Sequence, residues 1–219
     1  MFTDLKIYVI HYTPLIERKS YLTQELDKRN LNYTFIECYD KEVLTNEQLS
    51  KFDHKLSQKR GTCSLFIKQI HAMQLISQST YKYNLIFEDD VILSNNFTNY
   101  LERGLRQLPN NYDMLFIGDG CNLHIPSSQH VKDKYIYEKC REPTHWGGDG
   151  ATRCCDSMLV SKSCCTKVVE LFNRHKTPIH LPLDWWLSTV IRELKLNIYW
   201  MEPTIVTQGS QVGKYKTSH

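Results

Sequence analysis

Leu85-Ile86-Phe87-Glu88-Asp89-Asp90-Val91 joins a short apolar run to three consecutive carboxylates. Leu85 to Phe87 reads as a central strand, because short β-favouring apolar runs of this kind fit a sheet buried on both faces. Residues two apart on an extended chain share a face, so Glu88 and Asp90 aim at one point while Asp89 faces away. Three adjacent carboxylates at a buried strand end repel one another and lose hydration unless a cation or a dense set of donors compensates. A hard divalent ion, Mn²⁺ or Mg²⁺, held by Glu88 and Asp90 and completed by substrate phosphates, is the expected compensation. The plainer reading is a solvated acidic turn before the helix that follows Ser94. Ligands of open α/β sheets bind at the carboxyl ends of strands, and that favours the site.

On either side of this stretch, strand-like and helix-like segments alternate. Leu5 to Ile10 is β-branched and aromatic, and after Pro14 a polar amphipathic run from Leu15 to Arg29 reads as a helix. Tyr33 to Cys38 is a second strand. Thr45, with Gln48 three positions on, has the form of a capping box opening a short helix. Apolar residues at 63, 66, 67, 70, 73 and 76 mark a buried helix stripe within 62–79. Further on come a helix over 94–108, strands over 113–117 and 156–160, a helix ending near Arg174, a helix over 183–194, and strands around 198–200 and 205–206. This alternation predicts one α/β domain over residues 1–219 with a mostly parallel sheet.

The chain has 219 residues, 41% hydrophobic and 23% charged, and 27 basic against 24 acidic residues leave a net charge of +3. That surplus is too small for nucleic acid to be held by the field of the whole molecule, so any anion must meet a local cluster. No window reaches the ~20 apolar residues of a bilayer span, and the opening residues lack the features of a signal peptide. The expectation is a cytoplasmic protein with free thiols at its eight cysteines. The adjacent pairs Cys154-Cys155 and Cys164-Cys165 lack the two-residue spacers of a zinc site. Richness in Asn, Lys, Ile and Tyr hints at an AT-rich genome, such as that of a virus acting in host cytoplasm.

Two further places carry chemistry. The first strand runs into Ile10-His11-Tyr12-Thr13-Pro14, with Arg18 and Lys19 on the following helix. Backbone N–H groups and cations at a strand end make a seat for a nucleotide or phosphate, although the turn has no glycine-rich loop and reads equally as plain structure. In Leu181-Pro182-Leu183-Asp184-Trp185-Trp186, Asp184 is either a helix N-cap or a base beside an aromatic sugar-stacking surface. Between the strand ending at Ile117 and Thr152 lies a long interval containing His145-Trp146-Gly147-Gly148-Asp149-Gly150. Its glycines and sugar-touching groups suit a lid that orders over bound donor, and a passive surface loop is the equal alternative.

In order along the chain, Tyr8-Val9-Ile10-His11 with Glu17-Arg18-Lys19, Gly61-Thr62-Cys63-Ser64-Leu65, Phe87-Glu88-Asp89-Asp90-Val91, Asp113 to Gly118, Leu159-Val160-Ser161-Lys162 and Leu183-Asp184-Trp185, followed by Glu202-Pro203 and Gln208, resemble glycosyltransferase family 25. This family includes lipopolysaccharide-biosynthesis and collagen galactosyltransferase-like proteins. His11 replaces the family's usual Asn, and Phe66-Ile67 its usual Ser-His. The resemblance implies a single GT-A type, Rossmann-like fold. It also implies metal-dependent, inverting transfer of a sugar, galactose or glucose, from a UDP-sugar donor to a hydroxyl of a glycan or protein acceptor. In that frame Asp90 and Glu88 hold Mn²⁺ or Mg²⁺, and His11, Arg18, Glu88 and Asp89 serve the donor, Asp89 through its ribose. Trp146, Asp149 and Trp185 serve the acceptor, and Asp184 is the general base. A domain that binds nucleotide or glycan without turnover, and a metal-dependent nucleotidyltransferase, are the alternatives.

Overall fold

The computed structural model describes residues 2–139 and 152–216. The chain begins with β1 (Leu5–Ile10), α1 (Ile16–Asp27) and β2 (Asn32–Ile36), then three helices, α2 (Asn46–Leu49), α3 (His54–Ser57) and the long α4 (Arg60–Ser77). Next come β3 (Tyr83–Glu88), β4 (Val91–Leu93), α5 (Phe97–Gln107), β5 (Met114–Phe116) and β6 (Ile136–Lys139). The last elements are β7 (Ser157–Val160), α6 (Lys162–Arg174), α7 (Leu183–Glu193), β8 (Ile198–Met201) and β9 (Val206–Gln208). Seven strands form one sheet in the order β2-β1-β3-β7-β5-β8-β6, and β4 pairs with β9 in a separate ribbon.

The pairings make the sheet mixed. β1, β2, β3, β5 and β8 run one way, and β7 and β6 run against them. The expected α/β sheet is therefore parallel at its core, with β7 reversed between β3 and β5. From β1 the chain passes to β2 on one side and later to β3 on the other, so the strand order switches at β1. The register places Ile10 opposite Glu88. Residues 11–12 and 89–90 thus emerge side by side at the carboxyl edge of a switch point, where open α/β sheets bind ligands.

Strand alternation feeds two cores. Ile86 faces the layer of α4, α6 and α7, and Leu85 and Phe87 face the layer that includes Leu22 and Leu26 of α1 and Phe97 and Leu101 of α5. Phe66 is fully buried among Phe52, Phe172 and Trp186, with ring centroids 5.2, 5.9 and 5.1 Å away. The Phe at this position therefore builds the core of α4. Thr45 opens α2 through the expected capping box, Gln48 N donating to Thr45 Oγ1 at 3.2 Å and Thr45 N to Gln48 Oε1 at 2.9 Å. The helix expected from Ser94 starts at Phe97, after a turn that carries β4 into its ribbon with β9. Neither β4 nor β6 was legible in the sequence, since three or four residues hold too few periods to show alternation.

One buried ion pair ties the far wall of the site to the sheet. Arg153, with no exposed side-chain surface, donates to Leu123 O at 2.6 Å and Met201 O at 2.9 Å, pairs with Glu202, and stacks 4.7 Å from the Trp200 ring. Removing one partner of such a pair strands the other charge in the interior. Arg153→Leu should therefore lower stability by about 3–5 kcal/mol, and adding Glu202→Leu should recover part of the loss. Urea unfolding midpoints read both effects. A single variant as stable as the parent chain would show that Glu202 finds other donors.

Candidate functional site

At the carboxyl edge of β1 and β3, Asp89 is the anchored carboxylate. His11 Nδ1 lies 2.8 Å from its Oδ2, Tyr12 N donates to the same oxygen at 3.0 Å, and Arg18 Nη1 donates to Oδ1 at 2.8 Å. Burial pushes this carboxyl up, but the hydrogen bonds from His11, Arg18 and Tyr12 outweigh it and hold it below the usual range. Both oxygens that were expected to meet the donor ribose are thus engaged by the protein itself. His11 is fully buried with its ring edge on Phe35, and its Nε2 has no partner among the described residues. Arg18 reaches past Asp89 to the carbonyl of Lys216 and stacks 5.0 Å from the Tyr215 ring.

Glu88 and Asp90 are compensated differently. Glu88 accepts a long contact of 3.5 Å from Gln208 Nε2, and burial, with Asp90, Asp156, Asp89 and Asp184 nearby, raises its carboxyl well above the usual range. Asp90 Oδ2 accepts from Ser210 N at 3.3 Å, and its backbone oxygen accepts from Gly209 N at 2.8 Å. Its Oδ1 is buried with no partner among the described residues. Asp156 comes in from the start of β7, its backbone oxygen accepting from Glu88 N at 2.8 Å. Burial pushes its carboxyl up to about 7 against the bond from Ser157 Oγ. Its Oδ1 is likewise unpartnered among the described residues. A Cβ on Gly118 would stand 2.5 Å from Asp156 Oδ2 and 2.4 Å from Ser157 Oγ, so a glycine is needed where β5 closes on this carboxylate. Among the described residues no group of three or more His, Cys, Asp or Glu side chains could hold a metal ion by itself.

Two clefts of similar size meet here, of about 240 and about 270 Å³. The first is lined by His11, Tyr12, Arg18, Lys68 and Glu88 to Asp90, and the second by Lys59, Thr62, Cys154, Cys155 and Asp184. Leu65, Glu88 and Gln208 line both and form the wall between them. Lys68 is buried under the first cleft and bonds to the His11 carbonyl and to Asp40.

Asp184 sits half-buried in the first turn of α7, whose N-cap is Pro182, with no side-chain cap bond. Pro182, not Asp184, is therefore the N-cap residue, and burial raises the Asp184 carboxyl against hydrogen bonds from the Trp185 amide and its own. The two tryptophans beside it do not form one surface. Trp185 is 46% exposed, whereas Trp186 is 4% exposed and packs on Phe66. The period of a helix turns consecutive residues about 100° apart, which separates them. Trp146 and Asp149, with the whole 145–150 segment, lie outside the described residues.

Sequence reasoning missed Lys68, Asp40 and Asp156. Lys68 had a signal, since a lysine inside the apolar stripe of α4 must find a buried partner. Asp40 and Asp156 had none, because nothing in the sequence places either beside a carboxylate or cation tens of residues away.

The family model described as glycosyltransferase family 25 (LPS biosynthesis protein) matches residues 4–145. A crystal structure of a glycosyltransferase involved in glycosylation of the major capsid of PBCV-1 is 12% identical, with TM-score 0.42, over 78% of this chain and 68% of that one. The apo form of mouse xyloside xylosyltransferase 1 is 13% identical, with TM-score 0.40, over 86% of this chain and 69% of that one. No curated protein matches significantly. The family match covers well over half of the 219 residues and includes the β1 and β3 ends with Glu88, Asp89 and Asp90, so the chain belongs to glycosyltransferase family 25 and is a transferase with an α/β fold.

Proposed function

We propose that the protein transfers a hexose from a UDP-sugar in the first cleft to an acceptor hydroxyl in the second, with inversion at the anomeric carbon and with a divalent cation. One observation carries this reading: two clefts share a wall at Glu88, and Asp184 stands on the second cleft alone. An inverting displacement needs its base on the opposite side of the sugar from the leaving diphosphate, and two adjoining compartments meet that need.

The residues fit a cation of the Mn²⁺ or Mg²⁺ kind. Asp90 Oδ1 is a buried carboxylate oxygen without a partner among the described residues, and Glu88 beside it is raised by burial and by neighbouring negative charge. Two carboxylates do not make a complete cage for a hard divalent ion, so diphosphate oxygens would fill the remaining positions. When bound, such an ion stabilises the negative charge that develops on the leaving diphosphate. The chain's own residues do the rest. Asp89 ties Arg18 and His11 to the floor of the first cleft and keeps the turn at residues 11–12 in place. Asp184, whose raised carboxyl makes it a stronger base than an exposed aspartate, takes the proton from the acceptor oxygen. Trp185 offers an exposed aromatic face next to it for an acceptor sugar.

Asp90→Asn keeps the size of the side chain but removes the charge that a cation requires. It should weaken Mn²⁺-dependent UDP binding at least tenfold in calorimetry, without lowering the melting temperature. Equal affinity and equal Mn²⁺ dependence in the variant would move the cation elsewhere.

Because Asp184 does not cap α7, its exchange for Asn should alter stability by no more than about 1 kcal/mol, the size of a first-turn charge effect. Loss of a general base costs roughly 10²–10⁴-fold in rate. An Asp184→Asn protein that melts normally, binds UDP and has lost transfer by that factor supports the assignment. Transfer retained within a few-fold would remove Asp184 from the chemistry. Slow Mn²⁺-dependent hydrolysis of a UDP-sugar without acceptor separates turnover from mere binding, and pyrophosphate release from a nucleoside triphosphate would instead indicate nucleotidyl transfer.

A further inference from the structure

Seven cysteines among the described residues are free, and Cys63, Cys155, Cys164 and Cys165 are buried. Cys121 is exposed and Cys154 half-buried, and although 33 residues separate them their sulfurs lie 3.5 Å apart. The approach is built into the backbone. A Cβ on Gly120 would fall 2.1 Å from the Arg153 carbonyl oxygen and 2.9 Å from Cys154 Cβ, so the two segments touch along their main chains. Arg153 reinforces the contact by holding Leu123 O. Cys121 and Cys154 both adopt left-handed φ angles, 54° and 55°, a region that non-glycine residues occupy only where their surroundings enforce it.

Cys154 lies on the second cleft beside Asp184, and Cys121 connects to the wall residue Gln208 through Gln211. Cys121 N donates to Gln211 Oε1 at 2.9 Å, and Gln211 Nε2 donates at 2.7 Å to Gln208, the residue that contacts Glu88.

We propose that Cys121 and Cys154 form a disulfide-forming pair, a modification site at the edge of the second cleft that closes by exchange with a small-molecule disulfide of the glutathione type. The exposed Cys121, as thiolate, attacks one sulfur of that disulfide, forming a mixed disulfide and releasing the other half as a thiol. Cys154, whose thiol burial pushes up, gives up its proton as it attacks Cys121 Sγ and expels the second half as a thiol. Two protein thiols are oxidised by two electrons, one external disulfide is reduced to two thiols, and the two protons leave with them. Closure requires the sulfurs to move from 3.5 Å to about 2.05 Å. The proposal concerns the thiols alone and does not depend on the donor or acceptor assigned above.

The test uses the full chain, reduced, desalted and incubated without denaturant with oxidised glutathione at neutral pH, then alkylated and mapped by peptide mass. The expected result is the loss of two alkylatable thiols and one cross-linked peptide joining residues 121 and 154. The melting temperature should rise on the order of 5–10 °C and fall back with dithiothreitol, because the bond closes a loop of more than thirty residues. In Cys154→Ser the second step is missing, so a stable glutathione adduct should remain on Cys121. Retention of both thiols, a stable adduct on Cys121 in the unsubstituted protein, or a cross-link to Cys38 or Cys140 would each overturn the proposal.

Discussion

The gathering of carboxylates at the end of β3 is the constraint on which the rest of this molecule turns. Glu88, Asp89 and Asp90 are consecutive, Asp156 bonds to the backbone of Glu88, and Asp184 is close enough to raise it. A protein interior tolerates such a concentration only where each charge is answered or neutralised. The chain answers one side completely. Asp89 receives His11, Arg18 and the Tyr12 amide, and this cluster pins α1 and the β1 turn to β3. On the other side Glu88 and Asp156 are raised, and buried oxygens of Asp90 and Asp156 have no partner among the described residues.

That asymmetry divides the carboxylate cluster into two halves. In the compensated half Arg18 and His11 are engaged by Asp89, and all three also line the first cleft. The uncompensated half faces the wall shared by the two clefts, where buried carboxylate oxygens lack partners among the described residues. Lys68 follows the same logic one layer below: its charge is met by Asp40 and the His11 carbonyl, so it props the floor of the first cleft from beneath. The tail from Gly209 to Lys216 also belongs to this assembly. Its backbone bonds to Asp90 and its Lys216 carbonyl accepts from Arg18, which joins the last described residues to both halves of the carboxylate cluster.

The second cleft is held by different means. Its far wall comes from the 152–156 segment, and the buried Arg153–Glu202 pair fixes that segment to β8. Close backbone contact at Gly120 presses the turn after β5 against the same segment. The second cleft thus rests on an ion pair and a glycine contact, and the first on the sheet's own switch point.

The sequence by itself determined the α/β class, most element positions, the placement of Glu88-Asp89-Asp90 at a strand end and the family to which the chain belongs. These are properties of the linear chain, carried by periodicity and caps within short windows and by the order of those windows along the sequence. Only the tertiary structure decided which carboxylates were already spent, because Asp89 is neutralised by partners 71 and 78 residues away. It also reversed β7 within the sheet, buried Trp186 while exposing Trp185, and brought Asp156 to Glu88 and Cys121 to Cys154. Pairings of this kind depend on how strands stack in space, and no local pattern encodes them, since a side chain's neighbours across a sheet are set by the order and direction of the strands.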